Sequence, residues 1–266
     1  MEAITAESAE SADNSAPAER YSAAIARELE KVRVEAAARD ARFASFRVRP
    51  PEAQRVTEAE WLASHDPDRM LREVGPAAST RKLQLVMCAC CRRVWKDIEG
   101  PYRIAVEVAE KCLVGEATAG EFGPAADNAR MAWCLHSPSN ECSYGEEAVA
   151  YLSFPDPLEG AISCARLTLD SHRTTRISEA AAQASLLRCI FGNPFRPTTD
   201  DPGWRSETVL ALAAGIFADC AFDRMPILAD ALQDAGCEDK QLLAHCRSSG
   251  THVGGCWVLD WVLGIG

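Results

Sequence analysis

Cys237, His245, Cys246, His252 and Cys256 bring three thiols and two imidazoles into one short C-terminal stretch. Far upstream, Cys88 and Cys91 form a CxxC pair within the run CACCRRVW. Thiolate sulfur and imidazole nitrogen are the ligands zinc prefers in tetrahedral sites. The spacing from His245-Cys246 to His252 and Cys256 suits such a site, with Cys88 and Cys91 supplying two further ligands. The candidate metal set is therefore Cys88, Cys91, Cys246, His252 and Cys256. Against it, zinc knuckles place CxxC on tight turns, whereas Cys88 and Cys91 fall at i,i+3 within an apolar helical pattern. Residues 245 and 246 are adjacent, so on a helix their side chains diverge by about 100° and rarely share one ion. Buried cysteine also serves simply as a small hydrophobe. Core packing is the favoured reading of these cysteines, and metal binding the alternative.

A Cys–His nucleophile drawn from the same residues would need an exposed thiol of low pKa with an oriented base. Nothing in the sequence signals one. There is no Walker loop, dinucleotide glycine fingerprint, HExxH or GxSxG elbow. Arg92 and Arg93 could meet an anion, although such a pair more often forms a solvated rim.

The elements that must position these residues are helical. Thr57 with Glu60 has capping-box spacing, so a helix starts at TEAEWL. Asp66-Pro67 and Asp156-Pro157 each pair an N-cap with a proline at the first helical position. Ser79 and Thr80 precede RKLQLVMCACCRRVWKDI, apolar on most of its circumference and expected at the centre of the fold. Pro101 opens a helix carrying Ile104, Val108 and Cys112. Gly120 and Gly123-Pro124 read as turns before a helix over 125–135, and HSPSNECS reads as a loop. An Ala-rich helix over 178–191 stops at Gly192. NPFRPTTDDPGW is irregular, with Phe195 and Trp204 expected in the core. Ser206 caps ETVLALAAGIFADCAF, which is expected to be buried. Three short helices close the chain: one opened by Pro226, one after Glu238-Asp239, and one carrying Trp257 and Trp261 as anchors.

Period-two alternation is not sustained anywhere, so the fold class is all-α. The expected architecture is an irregular bundle of about ten short helices, preceded by a disordered tail and one amphipathic helix. Residues 1–18 lack large apolar side chains and read as the tail. Residues 19–50 carry Ile25, Leu29, Val32, Phe43 and Phe46 at helical spacing and form a candidate docking helix for a protein partner. Residues 51–266 form a single helical domain.

The chain has 266 residues, 12 cysteines and a formal charge of −11. That charge argues against general nucleic-acid binding, which needs clustered Lys and Arg. The N-terminus is unlike a signal peptide and no apolar run is long enough to span a bilayer. A cytoplasmic protein with reduced thiols is expected.

Five separated segments, TEAEWL, RKLQLVMCACCRRVW, FGNPFRP, PILADALQDAGC and HVGGCWVLD, occur in the order found in an uncharacterised all-helical bacterial family. The chain resembles that family from about Thr57 to Gly264. The resemblance implies a helical fold and carries no reaction, cofactor or catalytic residue. The expected function is a non-catalytic helical domain in protein–protein interaction or regulation. The alternatives are a zinc- or other metal-binding protein using the Cys/His clusters, or an enzyme with an unrecognised site.

Overall fold

The computed structural model describes residues 55–136, 143–172, 174–198 and 201–265. The expected tail, the helix from Ile25 to Phe46 and most of the HSPSNECS loop lie outside the described residues. Residues 52–266 form one compact unit. Among the described residues there are twelve α-helices and no strand. They are α1 Glu58–Ala63, α2 Pro67–Val74, α3 Thr80–Arg93, α4 Pro101–Leu113, α5 Ala119–His136 and α6 Tyr144–Ala150. α7 Pro157–Ser171, α8 Arg176–Phe191, α9 Glu207–Asp219, α10 Met225–Asp234, α11 Lys240–Arg247 and α12 Trp257–Leu263 follow. The fold is all-α, with short helices joined by short turns.

Local chemistry sets most helix starts. Thr57 accepts from the Glu60 amide while the Glu60 carboxylate accepts from the Thr57 amide, a reciprocal cap repeated at Ser143 and Glu146. Asp66, Ser79, Asp156, Ser206 and Asp239 each accept amide bonds from their helix's first turn. Every such cap satisfies backbone donors that would otherwise lack an intrahelical partner.

α3 is the central helix, burying Leu83, Leu85, Val86, Met87, Cys88, Cys90 and Cys91. It packs against α4, α6, α7 and α8. Beyond Arg93 it tightens into a 3-10 turn at Trp95–Asp97, short of the Ile98 end expected from the pattern. A first core gathers around α3, and a second is built from α9 to α12 together with Cys189 of α8. Val253 packs on both.

Several expectations are corrected. α5 runs through Gly123-Pro124 without a break. At its start the Glu121 carboxylate accepts from both the amide and the hydroxyl of Thr118, and a proline near that start removes only one helical bond. On α4 the buried side chains are Tyr102, Ala105, Val106 and Ala109, whereas Ile104 is 54% exposed. Phe195 stands at the surface, while Trp204 is partly buried and packs on Trp261 with ring centroids 6.2 Å apart. α9 buries only Val209, Ala213 and Ile216 and leaves Leu210 exposed. In α12 the fully buried anchors are Val258, Leu259 and Val262, with Trp257 and Trp261 half-buried beside them. No helix among the described residues is long and apolar enough to cross a membrane.

Candidate metal centre

Four side chains converge where α8, α11 and α12 meet. Cys189 lies near the C-terminal end of α8, His245 in the last turn of α11, His252 in the connecting loop, and Cys256 at the N-cap of α12. Their ligand atoms all lie within 4.8 Å of one another. His245 Nε2 is 3.2 Å from Cys256 Sγ. His252 Nδ1 is 3.9 Å from Cys189 Sγ and 4.0 Å from Cys256 Sγ. Zinc–sulfur bonds of about 2.3 Å and zinc–nitrogen bonds of about 2.0–2.1 Å give tetrahedral edges near 3.5 Å for N···S and 3.8 Å for S···S. These three N···S separations therefore sit within about half an ångström of the edge of a zinc tetrahedron, and the widest pair, within 4.8 Å, would close by about 1 Å around an ion.

The surroundings hold the four residues in place. α8 ends because Gly192 adopts φ 69°, a left-handed φ, and Trp61 Nε1 donates to its carbonyl at 3.0 Å. A Cβ on Gly192 would lie 3.1 Å from the Trp257 ring. Trp257 in turn stands 5.4 Å from the His245 ring, centroid to centroid. Asn193 Nδ2 donates to Glu58 at 2.8 Å, and Arg188 donates to the Trp61 and Ser64 carbonyls. The FGNPFRP segment thus ties the end of α8 to α1. Gly255, with φ 80°, precedes Cys256; a Cβ there would lie 2.2 Å from Leu85 Cδ1. Only glycine fits the conformation and the close approach of α3 together.

The two thiols are buried, and the two imidazoles half-buried. Burial alone would push the Cys256 thiol up, but hydrogen bonds from Cys189, His245 and His252 outweigh it and hold Cys256 well below the usual thiol range. Cys189 is pushed up, first by its bond to Cys256 and then by burial. The neighbours of Cys256 thus favour its thiolate form against burial. A thiolate facing two imidazoles and a second thiol is a donor set for a soft or borderline divalent ion. Four protein ligands leave no open position, the arrangement of structural rather than catalytic zinc.

Of the sequence-derived candidates, His252 and Cys256 come together here. Cys88 and Cys91 do not join them; both are buried within the first core. Cys91 Sγ instead lies 3.7 Å from Cys164 Sγ. Cys246 is buried in the second core, its thiol pushed up by burial first and then by the Cys256 and Cys237 thiols. The divergence expected of residues 245 and 246 is therefore present, but the helix turns His245 rather than Cys246 toward the cluster. Cys189 carries no local signal beyond its place three residues before the Gly192 stop. A pattern pairing His245, His252 and Cys256 with a cysteine outside the block would have found it.

An open groove of about 910 Å³ runs beside the cluster, lined by Leu85, Arg92, Glu110, Phe217 and His252 among others. Cys256 is not in its lining. Arg92 is held by Glu110. Arg93 is held by both oxygens of buried Glu179, at 2.6 and 2.8 Å. No family model, no curated protein and no solved structure matches the chain.

Proposed function

We propose that this chain is a zinc-binding helical protein whose Cys189, His245, His252 and Cys256 hold one structural ion. The observation that carries the reading is the convergence of four soft-to-borderline ligand atoms within 4.8 Å from separate segments. With two thiolates the bound ion is formally neutralised, which suits a largely buried position. The ion would crosslink α8 to the α11–α12 closure and so hold the second core against the first. The segments of the family resemblance fit this role: FGNPFRP braces the end of α8, and HVGGCWVLD supplies two ligands.

A closed ligand shell favours a non-catalytic, scaffold-like function over hydrolysis at the metal. A role in protein–protein interaction through the segment around Ile25–Phe46, in the cytoplasm, is compatible with that scaffold.

Metal analysis of the full chain, purified after growth with zinc, tests the proposal. About one zinc per chain is expected, falling below roughly a tenth in Cys256→Ser. Wild-type protein with less than that tenth, and no uptake on refolding with zinc, would sink it.

A further inference from the structure

Arg81 and Lys82 stand in the first turn of α3, which has no acidic residue there. Cations at a helix N-terminus are opposed by the helix dipole, so something else must hold them. Asp260 of α12 does: its side chain is only 5% exposed and bonds Arg81 Nη1 at 2.8 Å and Lys82 Nζ at 2.5 Å. A second Arg81 nitrogen reaches the other Asp260 oxygen at 3.3 Å.

Lys82 does more than neutralise Asp260. Its ammonium also donates to the Ile190 carbonyl and to the Gly255 carbonyl, both at 2.9 Å. Three donors meet three acceptors, so the ammonium is fully engaged. Ile190 follows Cys189, and Gly255 precedes Cys256. The Ile190 carbonyl belongs to the last turn of α8, where carbonyls lack an intrahelical partner. One cation therefore grips the backbone next to each thiol ligand, from a helix that carries no ligand itself.

We infer that Lys82 is the positioning residue of the metal centre, setting the separation of the Cys189 and Cys256 thiols through the Ile190 and Gly255 carbonyls, with Asp260 orienting its ammonium. This rests on the zinc reading above and adds that the site is preorganised from α3. Outer groups that orient ligands typically change metal affinity about 10–100-fold when removed.

The test compares full-length wild type, Lys82→Met and Arg93→Met, the last breaking another partly buried ion pair away from the metal. Zinc affinity is measured by competition with a chromophoric chelator, the thiolate-to-metal and d–d bands by cobalt substitution, and folding by circular dichroism. K82M is expected to lose about 10–100-fold in zinc affinity and to show altered cobalt bands while staying helical. R93M is expected to lose stability with affinity and bands unchanged. Should K82M fail to fold, Lys82→Gln, which keeps an amide donor, reads the same quantities. K82M or K82Q with wild-type affinity and bands would overturn the positioning role while leaving the zinc site standing. Wild type that takes up neither metal would overturn the zinc reading itself.

Discussion

The thiols of α3 and α7 and the thiols beside α12 are equally hidden from water, yet they meet different neighbours. Cys88, Cys91 and Cys164 are 3%, 0% and 0% exposed, and Cys189 and Cys256 are 2% and 0% exposed. In the first group, burial pushes Cys88 up. Cys164 is pushed up by its bonds with Cys90 and Cys91 and then by burial. Its sulfur also faces the Met87 carbonyl at 3.6 Å. These thiols act as small hydrophobes. In the second group Cys189 and the two imidazoles bond the Cys256 sulfur and hold its thiol well below the usual range, against the same pull of burial. Burial does not distinguish a ligand cysteine from a core cysteine; the nitrogen donors around it do.

Substitutions that break this contrast should act most strongly at the ligands. Cys189→Ala or Cys256→Ser should remove the zinc and with it the stabilisation that metal binding confers. At free zinc a thousandfold above Kd that is about 4 kcal/mol. For a domain this size the melting midpoint should fall by roughly 10 °C by calorimetry. A wild-type midpoint in either variant would place these thiols with the core group.

Gly255→Ala should come next. It forces a side chain into a left-handed φ and against Leu85, at about 2–4 kcal/mol from the two penalties together. Urea unfolding reads the loss, and reduced zinc affinity should accompany it because Cys256 is the next residue. Cys88→Ala and Cys91→Ala should each cost about 1 kcal/mol, near the loss of one buried methyl group. Their zinc content should remain at the wild-type level; a fall would move the α3 pair into the metal site.

The smallest effect sharpens the contrast within the site. Cys256 is held below the usual thiol range and Cys189 above it. Cys256 therefore gives up its proton more readily than Cys189 when metal binds. Calorimetry in buffers of different ionisation enthalpy should find fewer than two protons released per zinc. By the same linkage the affinity should fall as pH falls, about tenfold per unit while one proton is exchanged. Release of two protons would mean that both thiols start protonated.

Helix starts were legible because capping is local. Thr57 with Glu60, Asp66-Pro67, Ser79, Asp156-Pro157, Ser206 and Asp239 each act within their own first turn. What tertiary packing decides was less so. Phe195 reads as a core residue by type yet lies at the surface, and Gly123-Pro124 reads as a break yet sits inside α5. The site divides the same way. His252 and Cys256 stand out through a short spacing and a glycine-rich turn. Cys189 joins only because α8 ends against Trp257, and His245 only because Leu242 and Cys246 take the buried face of α11. Lys82 gives no sequence signal at all, since its three acceptors come from two other helices and a turn.

Zinc K-edge X-ray absorption on the purified full-length protein addresses the central claim most directly. A shell of two sulfurs at about 2.3 Å and two imidazole nitrogens at about 2.0–2.1 Å is predicted. It should be lost in Cys256→Ser and unchanged in Cys88→Ala. A shell of oxygen and nitrogen alone, or one whose sulfurs survive Cys256→Ser, would contradict the Cys189–His245–His252–Cys256 centre.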